Sequence, residues 1–272
     1  MRPRPLLPAS KSSRPWPHIS LFTSVEWLTG DIRVRDDTCR AIRYTAAAPG
    51  FGGVKHSCPT APKALMTQYF QIHPANPQQR LMSRAVALVR SGGVIVYPTD
   101  SCYALGCHIG DKAAMERIRR IRKLDHNHNF TFVCRDLSEL GSYAKVDNPT
   151  YRLLRSLTPG PYTFILKATR EVPRRLQNPK RKTIGLRMPA HGVTQTLLEI
   201  LGEPLMSSTL ILPGDDLPMV DPEEMLERLG SQVDLVIDGG HCGHEPTTVV
   251  DLTEGGVQVM REGLGDVASL HN

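Results

Sequence analysis

Helical and extended hydrophobic patterns alternate along the chain from about residue 66. Apolar side chains recur at helical spacing in residues 78–90 and predict a helix, which the glycines at 92 and 93 end: Leu81, Ala85, Leu88 and Val89. Residues 93–97 are apolar without a break and predict a buried strand. A second helix is expected behind Asp111, because a carboxylate suits the N-cap position.

The remaining elements follow from the same two periods. Helices are predicted at residues 136–142, 148–156, 192–201 and 222–229, the third of them ending at Gly202. Strands are predicted at residues 130–134, 162–168, 183–187, 205–212, 233–237, 248–252 and 257–261. Helices and strands alternate early and strands crowd together late. This order indicates a single α/β domain over residues 66–272, with a twisted mixed sheet flanked by helices.

The first 65 residues follow neither period and are rich in Pro, Ser and Arg. Such a composition buries too little apolar surface to offset chain entropy, so a disordered basic extension is expected. The change of character at Met66 leaves two hypotheses. Either Met66 is the natural start of the protein, or residues 1–65 form a basic arm that adds to RNA affinity.

Charge is distributed unevenly along the chain. The formal charge is +6, and residues 1–65 alone hold ten Lys or Arg against four Asp or Glu. Residues 112–187 hold 18 basic and six acidic side chains, whereas residues 188–272 hold two basic and 15 acidic ones. The basic segment is either a footprint for a polyanion or a set of solvated helix faces paired with acids of the C-terminal segment.

Cysteine and histidine usage bounds the remaining chemistry. The six cysteines include no Cys-x-x-Cys pair and follow no secretory signal, so reduced thiols and a cytoplasmic protein are expected. No apolar run approaches the ~20 residues that a membrane helix needs. Two clusters do not match the spacing of a closed zinc site, and no metal held by protein side chains is expected: His126 with His128, and His241 with Cys242 and His244.

Hydroxyl-bearing side chains gather at the predicted strand ends. Thr99 and Ser101 follow the buried strand at 93–97, and Arg187 ends the strand at 183–187. Strand ends collect ligands in α/β folds, and hydroxyls and guanidinium groups suit phosphate or carboxylate oxygens. The same residues also suit plain turns and a structural ion pair. The chain contains neither a Walker loop nor a Gly-x-Gly-x-x-Gly loop, so dispersed contacts would have to hold any nucleotide.

Five sequence blocks occur in this order along the chain, at residues 94–101, 158–166, 184–189, 246–251 and 261–263. Together they resemble the YrdC-like domain family. Residues 70–81, 129–140 and 173–176 are similar to the YciO branch of that family. The resemblance runs from about Met66 to Leu270 and implies a twisted α/β fold with a positively charged cavity.

The resemblance also implies an activity. Characterised enzymes of the family are threonylcarbamoyl-AMP synthases, nucleotidyltransferases that use ATP with Mg²⁺, L-threonine and bicarbonate and serve tRNA modification. By resemblance, Arg122, Lys123 and Arg187 are the expected catalytic residues. The expected substrate- and nucleotide-binding residues are Thr99, Ser101, Thr163, Ser207, Ser208, Thr209, Thr248 and Arg261. Double-stranded RNA or tRNA is a further partner that the resemblance implies.

Two motifs depart from the family pattern. The synthases carry Lys-x-Arg where this chain has Arg122-Lys123-Leu124, and Ser-x-Asn where it has Thr209-Leu210-Ile211. Lys123 lies one residue from the expected position and would have to reach around the helix end. Three functions therefore remain open: a slow synthase, an RNA-binding module without this catalysis, and an enzyme that uses the same scaffold for another carbamoyl or adenylyl substrate.

Overall fold

A ten-stranded mixed sheet forms the centre of the computed structural model, which describes residues 67–125 and 128–271. The strands are β1 (Gln68–Gln71), β2 (Ile95–Tyr97), β3 (Ala104–His108), β4 (Thr131–Val133), β5 (Tyr162–Lys167), β6 (Thr183–Arg187), β7 (Leu205–Thr209), β8 (Leu235–Asp238), β9 (Thr248–Asp251) and β10 (Gln258–Arg261). The described residues also form six α-helices: α1 (Gln79–Arg90), α2 (Lys112–Arg122), α3 (Leu137–Tyr143), α4 (Asn148–Leu157), α5 (Gly192–Leu201) and α6 (Pro222–Leu229). Short 3₁₀ turns lie at Arg174–Leu176, Gly230–Gln232 and Ala268–His271.

The sheet order is β1-β8-β2-β3-β7-β4-β6-β5-β9-β10. Four neighbouring pairs are parallel: β1 with β8, β2 with β8, β4 with β6, and β5 with β9. The other five pairs are antiparallel. The predicted α/β class with a mixed sheet flanked by helices is therefore confirmed. The expected boundary at Met66 and the extension over residues 1–65 lie outside the described residues.

Two strands escaped the sequence analysis, and one predicted strand is too long. β1 is a short edge strand, and β3 contains Gly106 and lacks alternation. The strand predicted at 205–212 ends at Thr209, because the Ile211 N–H turns back to the Thr209 carbonyl at 3.1 Å. The predicted N-cap Asp111 accepts the Ala114 N–H at 2.9 Å, and Gly202 ends α5 in a left-handed conformation, φ 73°.

Helices cover the two faces of the sheet unequally. On one face, buried side chains of α2, α3, α4 and α6 join a large core with alternate strand residues such as Phe132 and Leu186. On the other face, α1 and α5 pack on a smaller core that reaches Val133 and Leu205. The smaller core ends at Val133 of β4. On the neighbouring strands β6, β5 and β9 this second face is open, and the cavity described below lies there. None of the described helices combines the length and the apolar character needed to cross a membrane.

Gly106 allows the side chains of Tyr97 and Leu205 to pack closely against β3 inside the smaller core. It lies in β3 between Ile95 of β2 and Ser207 of β7. A Cβ at this position would come 2.6 Å from Cδ2 of Leu205 and 2.8 Å from Cε1 of Tyr97. Because both neighbours are fully buried, they have little room to move away.

Replacing Gly106 with alanine is expected to lower the free energy of unfolding by about 1–3 kcal/mol through overpacking. Gly141→Ala in α3 is the matched control, because a Cβ there meets nothing within 4 Å. Alanine at that helical position should raise the free energy of unfolding by about 0.5–1 kcal/mol. Urea denaturation of both variants measures the two changes, and equal stability of wild type and Gly106→Ala would contradict the packing argument.

Candidate functional site

A cavity of about 280 Å³ lies on the open face of the sheet. Its polar lining contains four arginines, seven hydroxyl side chains, two amides and one histidine: Arg122, Arg181, Arg187, Arg261, Thr131, Thr163, Thr183, Ser207, Ser208, Thr209, Thr247, Asn129, Asn178 and His128. Among the described residues, no Asp or Glu lines it. The composition therefore suits an anion that also carries an apolar part.

Arg187 is buried at the end of β6 and held by the loop that follows β2. Its Nη2 donates to Thr99 Oγ1 at 3.1 Å and to Ser101 Oγ at 2.9 Å, and it pairs with Asp100. The second oxygen of Asp100 accepts the Ala190 N–H at 3.0 Å. Arg187 Nε is buried and lacks a hydrogen-bond partner within the described part of the chain. A buried unpaired donor is costly, so a ligand oxygen at Nε would be favourable.

Arg122 and Arg261 supply positive charge that no carboxylate of the described residues neutralises. Arg122 Nε donates to the Ile211 carbonyl at 3.2 Å, and its Nη1 donates to Ser208 Oγ. Arg261 Nη2 donates to the Thr247 carbonyl at 2.9 Å. Neither guanidinium forms an ion pair with a described residue. Burial lowers the pKa of both groups, but arginine remains a cation in proteins, so the cavity holds net positive charge.

Arg181 is a lining residue that the sequence analysis missed. Its Nη1 lies 2.7 Å from Asp251 Oδ2, and its Nη2 donates to Thr253 Oγ1 at 2.7 Å. Burial acts to raise the pKa of Asp251, but hydrogen bonds from Thr253 and Arg181 bring that pKa below its ordinary value. Arg181 is one of six cations within residues 169–182, and no sequence period shows which of them faces inward.

The structure gathers most of the predicted site residues around this cavity. Seven of them line it: Arg122, Thr163, Arg187, Ser207, Ser208, Thr209 and Arg261. Thr99 and Ser101 do not line the cavity, but their hydroxyl oxygens accept hydrogen bonds from Arg187. Their roles toward a ligand remain predictions.

Lys123 and Thr248 do not line the cavity. Lys123 is exposed at the end of α2 in a left-handed conformation, φ 49°. Thr248 is buried, and its hydroxyl donates to the Gly265 carbonyl at 2.6 Å and accepts the Gly263 N–H at 3.0 Å. Thr248 thus holds the start of β9 against the segment after β10.

The two altered motifs also have defined positions. Leu124 packs against the larger core, so its side chain is not available to a ligand. Ile211 lines the cavity with an apolar side chain, while its carbonyl accepts from Arg122. The first cation of the Lys-x-Arg motif is therefore present as Arg122, whereas the second cation and the amide of the Ser-x-Asn motif are replaced by the apolar Leu124 and Ile211.

His128 lines the cavity beside Arg122. Its ring lies edge-on to Phe130, with ring centroids 5.6 Å apart. Burial, Arg122 and Arg119 together lower the pKa of His128, so it is neutral at pH 7. No group of three His, Cys, Asp or Glu within residues 67–125 and 128–271 is arranged to hold a metal ion, and His126 lies outside those residues.

Comparison with known proteins identifies relatives of this chain. The Sua5/YciO/YrdC family model, described as Telomere recombination, matches residues 87–263. The uncharacterized protein YciO of Escherichia coli K12 is 62% identical over 202 residues, covering 74% of this chain and 98% of that protein. A threonylcarbamoyl-AMP synthase of Chromobacterium violaceum is 32% identical over 192 residues, covering 68% and 95%.

Solved structures show the same fold. The crystal structure of E. coli YciO superposes with a TM-score of 0.73 at 61% identity, covering 75% of this chain and 100% of that one. Sua5 of P. abyssi, solved in complex with L-threonine, has a TM-score of 0.67 at 24% identity, covering 72% and 58%.

Asp251→Asn tests the ion pair that holds Arg181. A pKa lowered on folding stabilises the folded state above the unfolded value of about 3.9, and that stabilisation is lost as the pH falls through the folded value. The substitution is expected to cost about 1–3 kcal/mol at pH 7 and progressively less below about pH 4. Urea denaturation at a series of pH values measures this difference.

Glu254→Gln is the control for that comparison. Glu254 lies 4.0 Å from the same guanidinium but is 87% exposed, so its loss should change the free energy of unfolding by less than about 0.5 kcal/mol. A cost for Asp251→Asn that stays constant between pH 7 and pH 3 would contradict the assigned ionisation.

Proposed function

Because the chain belongs to the Sua5/YciO/YrdC family, we propose that it is an ATP-dependent, adenylate-forming enzyme of the threonylcarbamoyl-AMP synthase type. In this reaction the amine of L-threonine and bicarbonate form a carbamate and water. A carbamate oxygen then attacks the α-phosphorus of ATP, the bond from that phosphorus to the bridging oxygen breaks, and pyrophosphate leaves. The product would serve N6-threonylcarbamoyladenosine formation in tRNA, a role in the cytoplasm.

The uncompensated charge of Arg122 and Arg261 is the observation that carries this proposal. A triphosphate brings several negative charges, and these guanidinium groups have no carboxylate partner among the described residues. Ser207, Ser208 and Thr209 add hydroxyl donors along one strand beside them. Charge develops on the phosphate oxygens during transfer, so positioned cations and donors stabilise the transition state.

Arg187 suits the amino-acid end of the site. Its guanidinium is held rigidly by Thr99, Asp100 and Ser101, and its buried Nε is still free to donate. A carboxylate oxygen of L-threonine would satisfy that donor. The complex of P. abyssi Sua5 with L-threonine supports a threonine site in this family.

Mg²⁺ would enter with ATP as part of the substrate. Among the described residues, the cavity lining offers this ion hydroxyls and amides but no carboxylate. Mg²⁺ binds phosphate oxygens and retains several waters, so it does not require a protein cage. Bound in this way, it would neutralise part of the charge of the triphosphate.

The missing amide and cation predict a slow enzyme. Two lost polar contacts at about 1.5–3 kcal/mol each remove about 3–6 kcal/mol. If they acted only in the transition state, the rate would fall about 10²- to 10⁴-fold. This count takes Arg122 as the replacement of the first motif cation and assigns the two losses to Leu124 and Ile211.

Incubation of the full chain with ATP, Mg²⁺, L-threonine and labelled bicarbonate is expected to yield threonylcarbamoyl-AMP. Arg187→Ala and Arg122→Ala should each lower the rate about tenfold or more, because each removes a charged donor to an anionic oxygen. Chromatography of the labelled product measures both rates. Arg80→Ala is the control, since Arg80 is exposed on α1 and does not line the cavity.

The absence of labelled product from wild type, alongside measurable ATP binding, would reject this substrate set. ATP binding that survives Arg122→Ala unchanged would reject the assigned triphosphate site.

A groove of about 1000 Å³ favours a second candidate function, binding of RNA. Four cations line it: Lys145, Arg170, Arg174 and Lys182. These four form no ion pair with a described residue, and no described acid lines the groove. Asn178 lines both the groove and the cavity, so the two are adjacent. A phosphate backbone is the polyanion that such a surface suits.

Arg174→Glu should weaken binding of double-stranded RNA or tRNA and reduce the dependence of log K on log salt by about one phosphate contact, a slope change of about 0.9. Electrophoretic shift titrations at several salt concentrations measure this slope. Arg80→Glu reverses one exposed charge outside the groove and should leave the slope unchanged. Equal slopes for wild type and Arg174→Glu would exclude the groove as the contact surface.

A further inference from the structure

A buried tyrosine hydroxyl touches the wall of the cavity from inside the protein. Tyr97 of β2 is fully buried in the smaller core, and its Oη lies 2.6 Å from Ser207 Oγ. Ser207 lines the cavity. The two residues lie on β2 and β7, with β3 between them. Gly106 of β3 has no side chain to block the tyrosine ring, which crosses the strand at this position.

The direction of this hydrogen bond follows from what each hydroxyl has available. Ser207 is the one described residue that shares a hydrogen bond with the Tyr97 hydroxyl. If Ser207 donated, the phenol proton would remain buried without an acceptor, which costs about 1–3 kcal/mol. If Tyr97 donates, its proton is satisfied and the Ser207 proton is free. The second arrangement is therefore favoured.

A ligand in the cavity is a suitable acceptor for the free proton of Ser207. The serine lines the cavity, and its bond to Tyr97 takes up the inward side of its hydroxyl. Ser208 beside it has the same property, because its oxygen accepts from Arg122 and leaves its proton free. Burial raises the pKa of Tyr97 to about 12, so the phenol keeps its proton throughout the physiological range.

We propose that Tyr97 is a positioning residue that holds Ser207 as a hydrogen-bond donor to an anionic oxygen of the nucleotide in the cavity. This inference rests on the proposed function for the identity of the ligand. A donor at Ser207 replaces the hydrogen bond that the apolar Ile211 side chain cannot make. It lies on the same strand and lines the same cavity as Thr209, the surviving hydroxyl of that motif.

Calorimetric titration of the full chain with MgATP, and separately with pyrophosphate, tests the donor. Ser207→Ala should weaken binding about tenfold, because it removes a bond to a charged oxygen. Tyr97→Phe should weaken binding about three- to tenfold, because Ser207 is then free to turn its proton elsewhere. In the Ser207→Ala background Tyr97→Phe should have no further effect on affinity, and Ser207→Thr should restore most of the affinity.

Tyr103→Phe separates positioning from stability. Tyr103 is also fully buried and donates its hydroxyl proton to the Gly240 carbonyl at 2.7 Å, but Gly240, unlike Ser207, does not line the cavity. Both tyrosine variants should lower the melting temperature, and only Tyr97→Phe should lower affinity. Unchanged affinity of Tyr97→Phe, or an equal loss in the Ser207→Ala background, would overturn the proposal.

Two measurements together separate this inference from the proposed reaction: the affinity of wild type and Tyr97→Phe for ATP, and the formation of labelled product by the wild type. Binding of ATP that depends on Tyr97 without formation of labelled product would leave the positioning role standing and reject the reaction. Formation of product with full affinity in Tyr97→Phe would do the reverse. A wild type that binds neither MgATP nor pyrophosphate would overturn the inference as well.

Discussion

The ion pair of Arg187 with Asp100 is the interaction on which the site depends. Arg187 is only 7% exposed, and its guanidinium must be paired because an isolated charge in the protein interior is very costly. The partner comes from the loop after β2, four strands away from β6 in the sheet. Asp100 in turn accepts the Ala190 N–H just before α5. One buried pair thus joins a loop, a strand end and the approach to a helix.

Carboxylates of the described residues neutralise two of the four arginines that line the cavity. Arg187 and Arg181 have carboxylate partners, which fix their geometry and cancel their charge. Within the described residues, Arg122 and Arg261 donate to neutral oxygens and form no ion pair, so they keep their charge. The first pair has a fixed geometry, whereas the second pair retains positive charge that would attract an anionic ligand. Neutral His128 adds no charge beside Arg122.

Hydrophobic periodicity predicted most of the fold because the core-facing positions are regular. The bounds of β6, α5 and α6 follow directly from apolar runs and from the Pro and Gly at their ends. β3 escaped because Gly106 interrupts its pattern, and that glycine serves a contact between β2 and β7 which no local signal encodes. Family blocks identified strand-end residues such as Arg187. Arg181 was missed because only the conformation of its loop aims it inward.

The connection between β5 and β6 has a consequence for how new specificities arise in this scaffold. Within residues 168–182, Arg181 faces the cavity while Arg170 and Arg174 face the groove outside, and Asn178 borders both. An exchange of this loop would therefore alter the lining of the cavity and the lining of the groove together. If both surfaces bind ligands, a change in this one segment would alter the preference of both sites in the same step.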